Sequence, residues 1–221
     1  MLPLRDTVPS ARPPLVNYAL IAANVVVYAY EASLGPRVET LLFTWGLVPA
    51  DFRLLDLATS MFLHGSLMHL VGNMLYLYIF GDNIEDRLGH GRYVVFYLLC
   101  GAAAGSLQAL LHPTSEVPMV GASGAIAGVS GAYLVFFPSA RVVTAIPLFL
   151  FIRVVEIPAV AFLLIWFGWQ FLSGVATLGA GDGAGIAFWA HVGGFVAGAL
   201  LGPAFGLGRV RRGGWARGGR N

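Results

Sequence analysis

Apolar stretches of roughly twenty residues, long enough for an α-helix to cross a hydrocarbon layer about 30 Å thick, recur along almost the whole chain. With 57% hydrophobic residues, 11% charged residues and a mean hydropathy of +0.76, the composition lies far from that of a soluble domain, of which about a quarter is charged. The chain therefore reads as an integral membrane protein. Its 221 residues are nearly used up by apolar segments and short connections, which leaves one membrane domain and no room for a separate globular module.

Six spans are predicted: Leu15–Leu34, closed by Gly35-Pro36, then Ser66–Asn83, Tyr93–Leu111, Met119–Phe137, Pro158–Leu178 and Gly185–Phe205. No long apolar core followed by a small-residue cleavage site lies at the N-terminus, so the first span reads as retained. An even number of spans puts both termini on one side, and charge supplies the orientation. With the N-terminus cytoplasmic, eleven arginines fall inside (Arg5, Arg12, Arg87, Arg92, Arg141, Arg153, Arg209, Arg211, Arg212, Arg217 and Arg220), and only Arg37 and Arg53 fall outside. All thirteen basic residues are arginine, yet the net charge of +2 is too small for a nucleic-acid binder. Attraction to the membrane surface is the physical role that suits the basic, Gly-rich C-terminal tail.

Between Gly35 and Gly65 lies a connection that is long and too apolar to be simply solvated. It mixes Phe43, Trp45, Phe52 and Phe62 with Arg37, Glu39, Asp51, Arg53 and Asp56, a blend suited to the membrane interface. The alternative, a seventh span over Leu54–Leu70, would move later arginines outside. Val142–Ile157 is also interrupted by charges, at Arg153 and Glu156, and reads as an inner interfacial segment.

Against this background a few polar residues stand out. Ser123, set between glycines in Gly121-Ala122-Ser123-Gly124, and His191 each lie inside an apolar run. A hydroxyl or imidazole in hydrocarbon is costly without a partner, and a bond between the two removes both costs. Both spans enter from the outer face. Ser123 lies about 7 Å along its helix from Pro118 and His191 about 12 Å along its own from Gly183, so the two fall at similar depth. Gly124 and Gly128 on one span, with Gly194, Gly198 and Gly202 on the other, permit close approach of the backbones. Such a pair is a serine nucleophile with its base. Helix packing alone also accounts for the glycines, with Ser123 bonded back to its own helix.

His69 and Asn73, four residues apart, share one helix face. Both can donate hydrogen bonds to an oxygen that becomes negative in acyl transfer, together with the Ser123 backbone N–H at a helix start; interhelical hydrogen bonding is the plain alternative. No carboxylate accompanies His191 in its span, so a dyad is expected, not a triad. Ser130 is a rival nucleophile on the same face but about 10 Å deeper. His64 and His69 lack the spacing and companions of a metal site. Cys100, the only cysteine, has no disulfide partner in the chain and is hidden in an apolar run. Asp182 in Gly179-Ala180-Gly181-Asp182 reads as a loop residue, since a carboxylate dyad would need a second intramembrane Asp. Glu31 is expected to snorkel from the end of the first span, and Asp82, Glu85 and Asp86 to serve helix capping at an inner turn.

Taken together, these residues resemble the rhomboid intramembrane serine proteases. The likeness runs through His-Gly-x-x-x-His-x-x-x-Asn from His64 to Asn73, Phe80-Gly81 with Glu85-Asp86, Gly121-x-Ser123-Gly124, and Ala190-His191 followed by Gly193-Gly194. It implies an all-α, six-helix bundle over 15–206 with a membrane-embedded first loop, between a short cytoplasmic tail at 1–14 and a basic one at 207–221. It implies a serine endopeptidase that hydrolyses peptide bonds in or near the transmembrane segments of single-span or other membrane-protein substrates, with no metal or organic cofactor. By resemblance Ser123 is the nucleophile and His191 the general base. Gly121, His69 and Asn73 match positions lining the active site and oxyanion hole, and His64 matches a supporting histidine. Two positions depart from the family pattern: Phe52-Arg53 stands where a Trp-Arg pair is common, and Ala127 where an aromatic often stacks on the histidine. Two other readings are a catalytically silent scaffold of the same fold, opposed by the intact Ser123 and His191, and a small transporter, opposed by the lack of an evident inverted repeat. A bacterial inner membrane is the expected location.

Overall fold

The computed structural model describes residues 1–148, 151–177 and 187–207. Asp182, the Gly185 start of the sixth predicted span and the tail from residue 208 onward lie outside these residues. The described chain is mostly helical: α1 (Leu15–Ser33), α2 (Val38–Trp45), α3 (Asp56–Thr59), α4 (Leu67–Leu88), α5 (His90–Leu111), α6 (Ser123–Phe136), α7 (Ala159–Thr177) and α8 (Phe188–Gly206). Among the described residues four helices are long and apolar enough to cross a membrane, Leu15–Ser33, His90–Leu111, Ala159–Ala176 and Phe188–Gly206. α4 carries Asp82, Glu85, Asp86 and Arg87 in its last two turns, and α6 has only 14 residues.

The expectation of an all-α fold needs correction. Leu2–Asp6 (β1), Arg141–Leu148 (β2) and Phe151–Pro158 (β3) form a three-stranded antiparallel sheet in the order β1-β2-β3. The segment read as an interfacial stretch is a hairpin in which Arg141 faces Pro158 and Leu148 faces Phe151. Its sequence is dense in β-branched residues, Val142, Val143, Thr144, Ile152, Val154, Val155 and Ile157, whose side chains suit a pleated sheet better than a helix. Within 1–14, β1 adds to the hairpin and Thr7 N–H donates to the Arg141 carbonyl at 3.0 Å.

α6 and α8 run in the same direction with their backbones nearly touching. A Cβ placed on Gly194 would come within 2.0 Å of the Gly124 carbonyl oxygen, one on Gly198 within 1.8 Å of the Gly128 oxygen, and one on Gly131 within 2.0 Å of the Phe195 oxygen. The predicted small-residue faces are therefore real contact surfaces. α5 packs against the same pair, and the buried Cys100 sits against Gly128.

Buried polar side chains link the remaining helices. Glu85 of α4 accepts from the Val16 and Asn17 backbone N–H groups at 2.9 and 2.7 Å, so it caps α1, whose own preceding residue is Pro14 and supplies no side-chain cap. Asn17 donates to the Leu77 carbonyl at 2.9 Å and accepts from Tyr93 at 2.8 Å, joining α1, α4 and α5. The N-terminal segment, the α4–α5 turn, the sheet and the end of α8 gather at one end of the bundle. Asp6 accepts from Asn83 and Tyr133 there, and Arg92 donates to the Phe205 carbonyl. Arg5, Arg12, Arg87, Arg92, Arg141 and Arg153 all belong to this end, and Arg37 and Arg53 to the other.

Glu31 does not snorkel. It is 1% exposed, and its two carboxylate oxygens accept from the His64 backbone N–H, each at 3.2 Å. The side chain turns inward because a loop amide needs an acceptor there.

Gly198→Ala is expected to destabilise the protein by about 1–3 kcal/mol through overpacking of the α6–α8 contact, read as a lower Tm of the detergent-solubilised protein. Burial, with Asp82 nearby, pushes the Asp6 carboxyl from 3.8 up to about 6. Its protonated form favours the docked strand, a contribution complete below about 3.8 and lost as pH rises through about 6. Proteolysis at the N-terminus should therefore quicken between about pH 4 and pH 6, and Asp6→Asn should flatten that rise.

Candidate active site

At the end of the bundle opposite the sheet, a cavity of about 790 Å³ is lined by Gly121, Ser123, His69, Asn73 and His191 among others. Ser123 stands at the first residue of α6, because the chain ahead of it is extended and turns sharply at Gly121, where φ is +126°. The predicted helix start at Met119 is thus four residues early, and the depth estimated for Ser123 shrinks accordingly. His191 lies three residues into α8, which begins at Phe188. Both side chains therefore occupy the first turn of their helices, at matching depth because α6 and α8 are parallel.

The bond that the isolated hydroxyl and imidazole each require is present: His191 Nε2 lies 2.8 Å from Ser123 Oγ. On the other side of the ring, His191 Nδ1 lies 2.7 Å from Gln170 Oε1 of α7. An amide oxygen only accepts, so Nδ1 carries the proton and Nε2 is left to accept from the serine. Trp166, one turn before Gln170, lies against the imidazole with ring centroids 5.7 Å apart and planes tilted by 39°. Ala127, which departs from the family's stacking aromatic, is buried in the α6 packing. Sequence reasoning missed both α7 residues. The signal available was a glutamine in an otherwise apolar span, subject to the same cost argument as Ser123.

α4 supplies the other wall. Ser66 caps the helix, its Oγ accepting from the His69 N–H at 3.2 Å, which fixes where the first turn begins. His69 and Asn73 then face Gly121: from the position a Cβ would take there, His69 Nε2 is 2.8 Å away and Asn73 Nδ2 is 3.5 Å away. His64 does not line the cavity. It packs behind, with its Nε2 2.9 Å from Asn73 Nδ2 and its ring edge-on to His69 at 5.1 Å. Burial first, and then His69, pushes the His64 imidazole down to about 4, so it is neutral and accepts from Asn73. Ser130 is buried in the α6 packing and does not line the cavity. Among the described residues no group of three His, Cys, Asp or Glu is arranged to hold a metal ion.

The apolar connection of 35–65 folds into α2, α3 and short 3₁₀ turns and is fastened to the strand-like approach to α6. Leu47 and Met119 exchange backbone hydrogen bonds at 3.0 and 2.8 Å, and the Gly121 N–H donates to the Ser60 carbonyl at 2.8 Å. Arg53 pairs with buried Asp56 at 2.8 Å and donates to the Thr44 carbonyl, so it anchors the loop internally while Phe52 beside it stays exposed.

The Rhomboid domain family model matches residues 51–207, and the chain belongs to that family of integral membrane proteins. Rhomboid protein 1, mitochondrial, of Saccharomyces cerevisiae is 31% identical over 200 residues, covering 86% of this chain and 53% of the relative. RHOMBOID-like protein 6, mitochondrial, of Arabidopsis thaliana is 38% identical over 105 residues, 46% of this chain and 34% of that protein. Rhomboid protease GlpG of Salmonella paratyphi A is 30% identical over 94 residues, 42% of this chain and 34% of that protein. The chain thus spans about half the length of the yeast relative and a third of the other two. Mitochondrial proteins stand among these relatives, and the expected bacterial inner membrane draws no support from them.

Gly121→Ala should destabilise the protein by about 1–3 kcal/mol, measured by thermal unfolding, because the backbone is left-handed and the new methyl would lie 2.6 Å from His69 Cε1.

Proposed function

We propose that the protein is an intramembrane serine endopeptidase that cleaves peptide bonds in or beside the transmembrane segments of single-span or other membrane proteins. The observation that carries this reading is the 2.8 Å hydrogen bond between Ser123 Oγ and His191 Nε2 within an open cavity. α4 and α6 complete six crossings, α6 being short because the extended residues before Ser123 take up part of the depth. The bundle comprises residues 15–206, with the arginine-rich end facing the cytoplasm and the connection of 35–65 embedded at the outer face.

In the reaction, Ser123 Oγ attacks the scissile carbonyl carbon while His191 Nε2 takes the hydroxyl proton. Negative charge then collects on the carbonyl oxygen. The Ser123 N–H, unbonded within its helix at this first position, and the donors of His69 and Asn73 receive it. His64 acts from behind, by accepting a hydrogen bond from the Asn73 amide and so fixing its orientation. When the tetrahedral intermediate collapses, the C–N bond breaks and His191 returns the proton to the leaving amine. A water entering from the cavity repeats the sequence on the acyl-enzyme, releasing the second product and restoring Ser123. The name of the Salmonella relative, a rhomboid protease, supports the same chemistry.

Purified protein incubated with a single-span reporter substrate should cleave it, and Ser123→Ala should lower the rate by at least about 10³-fold. A fluorophosphonate should label the wild type and spare Ser123→Ala. Equal cleavage by the two proteins would rule Ser123 out as nucleophile.

A further inference from the structure

The base of a serine enzyme must hold its ring so that one nitrogen faces the nucleophile with a lone pair, and a third group usually sets that tautomer. Among the described residues no carboxylate bonds to His191. Its Nδ1 instead meets Gln170 Oε1 at 2.7 Å, on a side chain only 8% exposed. An amide at this place has two faces with opposite consequences. With the oxygen inward, Nδ1 keeps the proton and Nε2 can accept from Ser123. With the NH₂ inward, Nδ1 becomes the acceptor, Nε2 carries the proton, and the ring cannot take one from the serine. We infer that Gln170 is the positioning residue for the proposed base, its side-chain oxygen selecting the one imidazole tautomer in which Nε2 accepts the Ser123 proton. This rests on the protease reading above.

Two further observations support it. Trp166 lies one helical turn away on α7 with its ring 5.7 Å from the imidazole and tilted by 39° to it, so α7 meets His191 both at Nδ1 and beside the ring. On α6 the neighbouring position offers only the methyl of Ala127, which cannot stack or bond. Orientation that a stacking aromatic could have supplied from α6 therefore comes from α7. Among the described residues, His69 of α4 is a titratable group that acts on His191 across the cavity. Among the described residues, Gln170 Oε1 is the hydrogen-bond partner on the Nδ1 side of the ring, as Ser123 Oγ is on the Nε2 side.

The test compares Gln170→Met, which keeps the length and bulk but removes the acceptor, with Gln170→Glu, which keeps acceptor oxygens and removes the NH₂. Cleavage of the reporter gives kcat and KM, and spectra of the ¹⁵N-histidine-labelled protein give the His191 tautomer, its signals assigned by their loss in His191→Asn. For Gln170→Met, kcat should fall about tenfold or more with KM within twofold, while the spectra shift from a pure Nδ1–H form to a mixture. Gln170→Glu should keep kcat within about threefold and hold the Nδ1–H form. Should Gln170→Met not yield folded protein, Gln170→Leu takes its place with the same expected result. Unchanged kcat and tautomer in the acceptor-less variant would overturn the assignment, as would equal losses in Met and Glu variants with the tautomer unmoved. Cleavage by Ser123→Ala at the wild-type rate would instead sink the protease reading itself.

Discussion

The backbone contact between α6 and α8 is the constraint on which the rest of the site depends. Two parallel helices approach so closely that carbonyl oxygens of one lie where side chains of the other would be, and only glycine permits this. Gly124 meets Gly194 and Gly128 meets Gly198, and this register leaves Ser123 and His191 facing each other in the first turns. Without water to drive helices together in a bilayer, close van der Waals packing and interhelical hydrogen bonds must hold them, and this seam supplies both. A shift of one residue along it would separate hydroxyl from imidazole by more than a hydrogen bond can span.

Around that seam, several buried polar groups reach partners on different elements. Glu85 caps α1 from α4, Asn17 joins α1 to α4 and α5, and Glu31 holds the amide of His64. Each bond does two things at once, satisfying a group that would be costly in an apolar interior and fixing one helix relative to another. His64 extends the same logic to the cavity. Its backbone is tied to α1 and its ring to Asn73, so the α4 wall is referenced to the frame of the bundle. The loop ahead of α6 is likewise anchored through Ser60, Leu47 and Met119, which is why the chain can arrive extended at Gly121 and start a helix on Ser123.

Much of this was legible along the chain. Ser123, His191, His69 and Asn73 betray themselves because polar atoms in apolar runs demand a reason, and the glycine spacing on two runs announced their contact. The three-stranded sheet was less visible: Arg153 and Glu156 drew attention to charge, while the β-branched pattern of Val142–Ile157 carried the stronger information. Glu31 was misread because a carboxylate near a span's end can reach water or turn inward, and the choice lies with the His64 amide more than thirty residues away. The span starts at Met119 and Gly185 follow from composition alone, whereas α6 starts at Ser123 after the left-handed turn at Gly121 and α8 starts at Phe188.

Sequence alone determined that the chain is an integral membrane protein, which residues are too costly to be incidental, and which faces can pack closely, because these follow from transfer free energies and helical periodicity. Only the tertiary structure decided which polar groups meet. Gln170 and Trp166 reach His191 from α7, Glu85 serves a helix other than its own, and β1 completes a sheet begun some 140 residues later. A hydrogen bond is satisfied by distance and direction in space, and neither can be read from the order of residues in the chain.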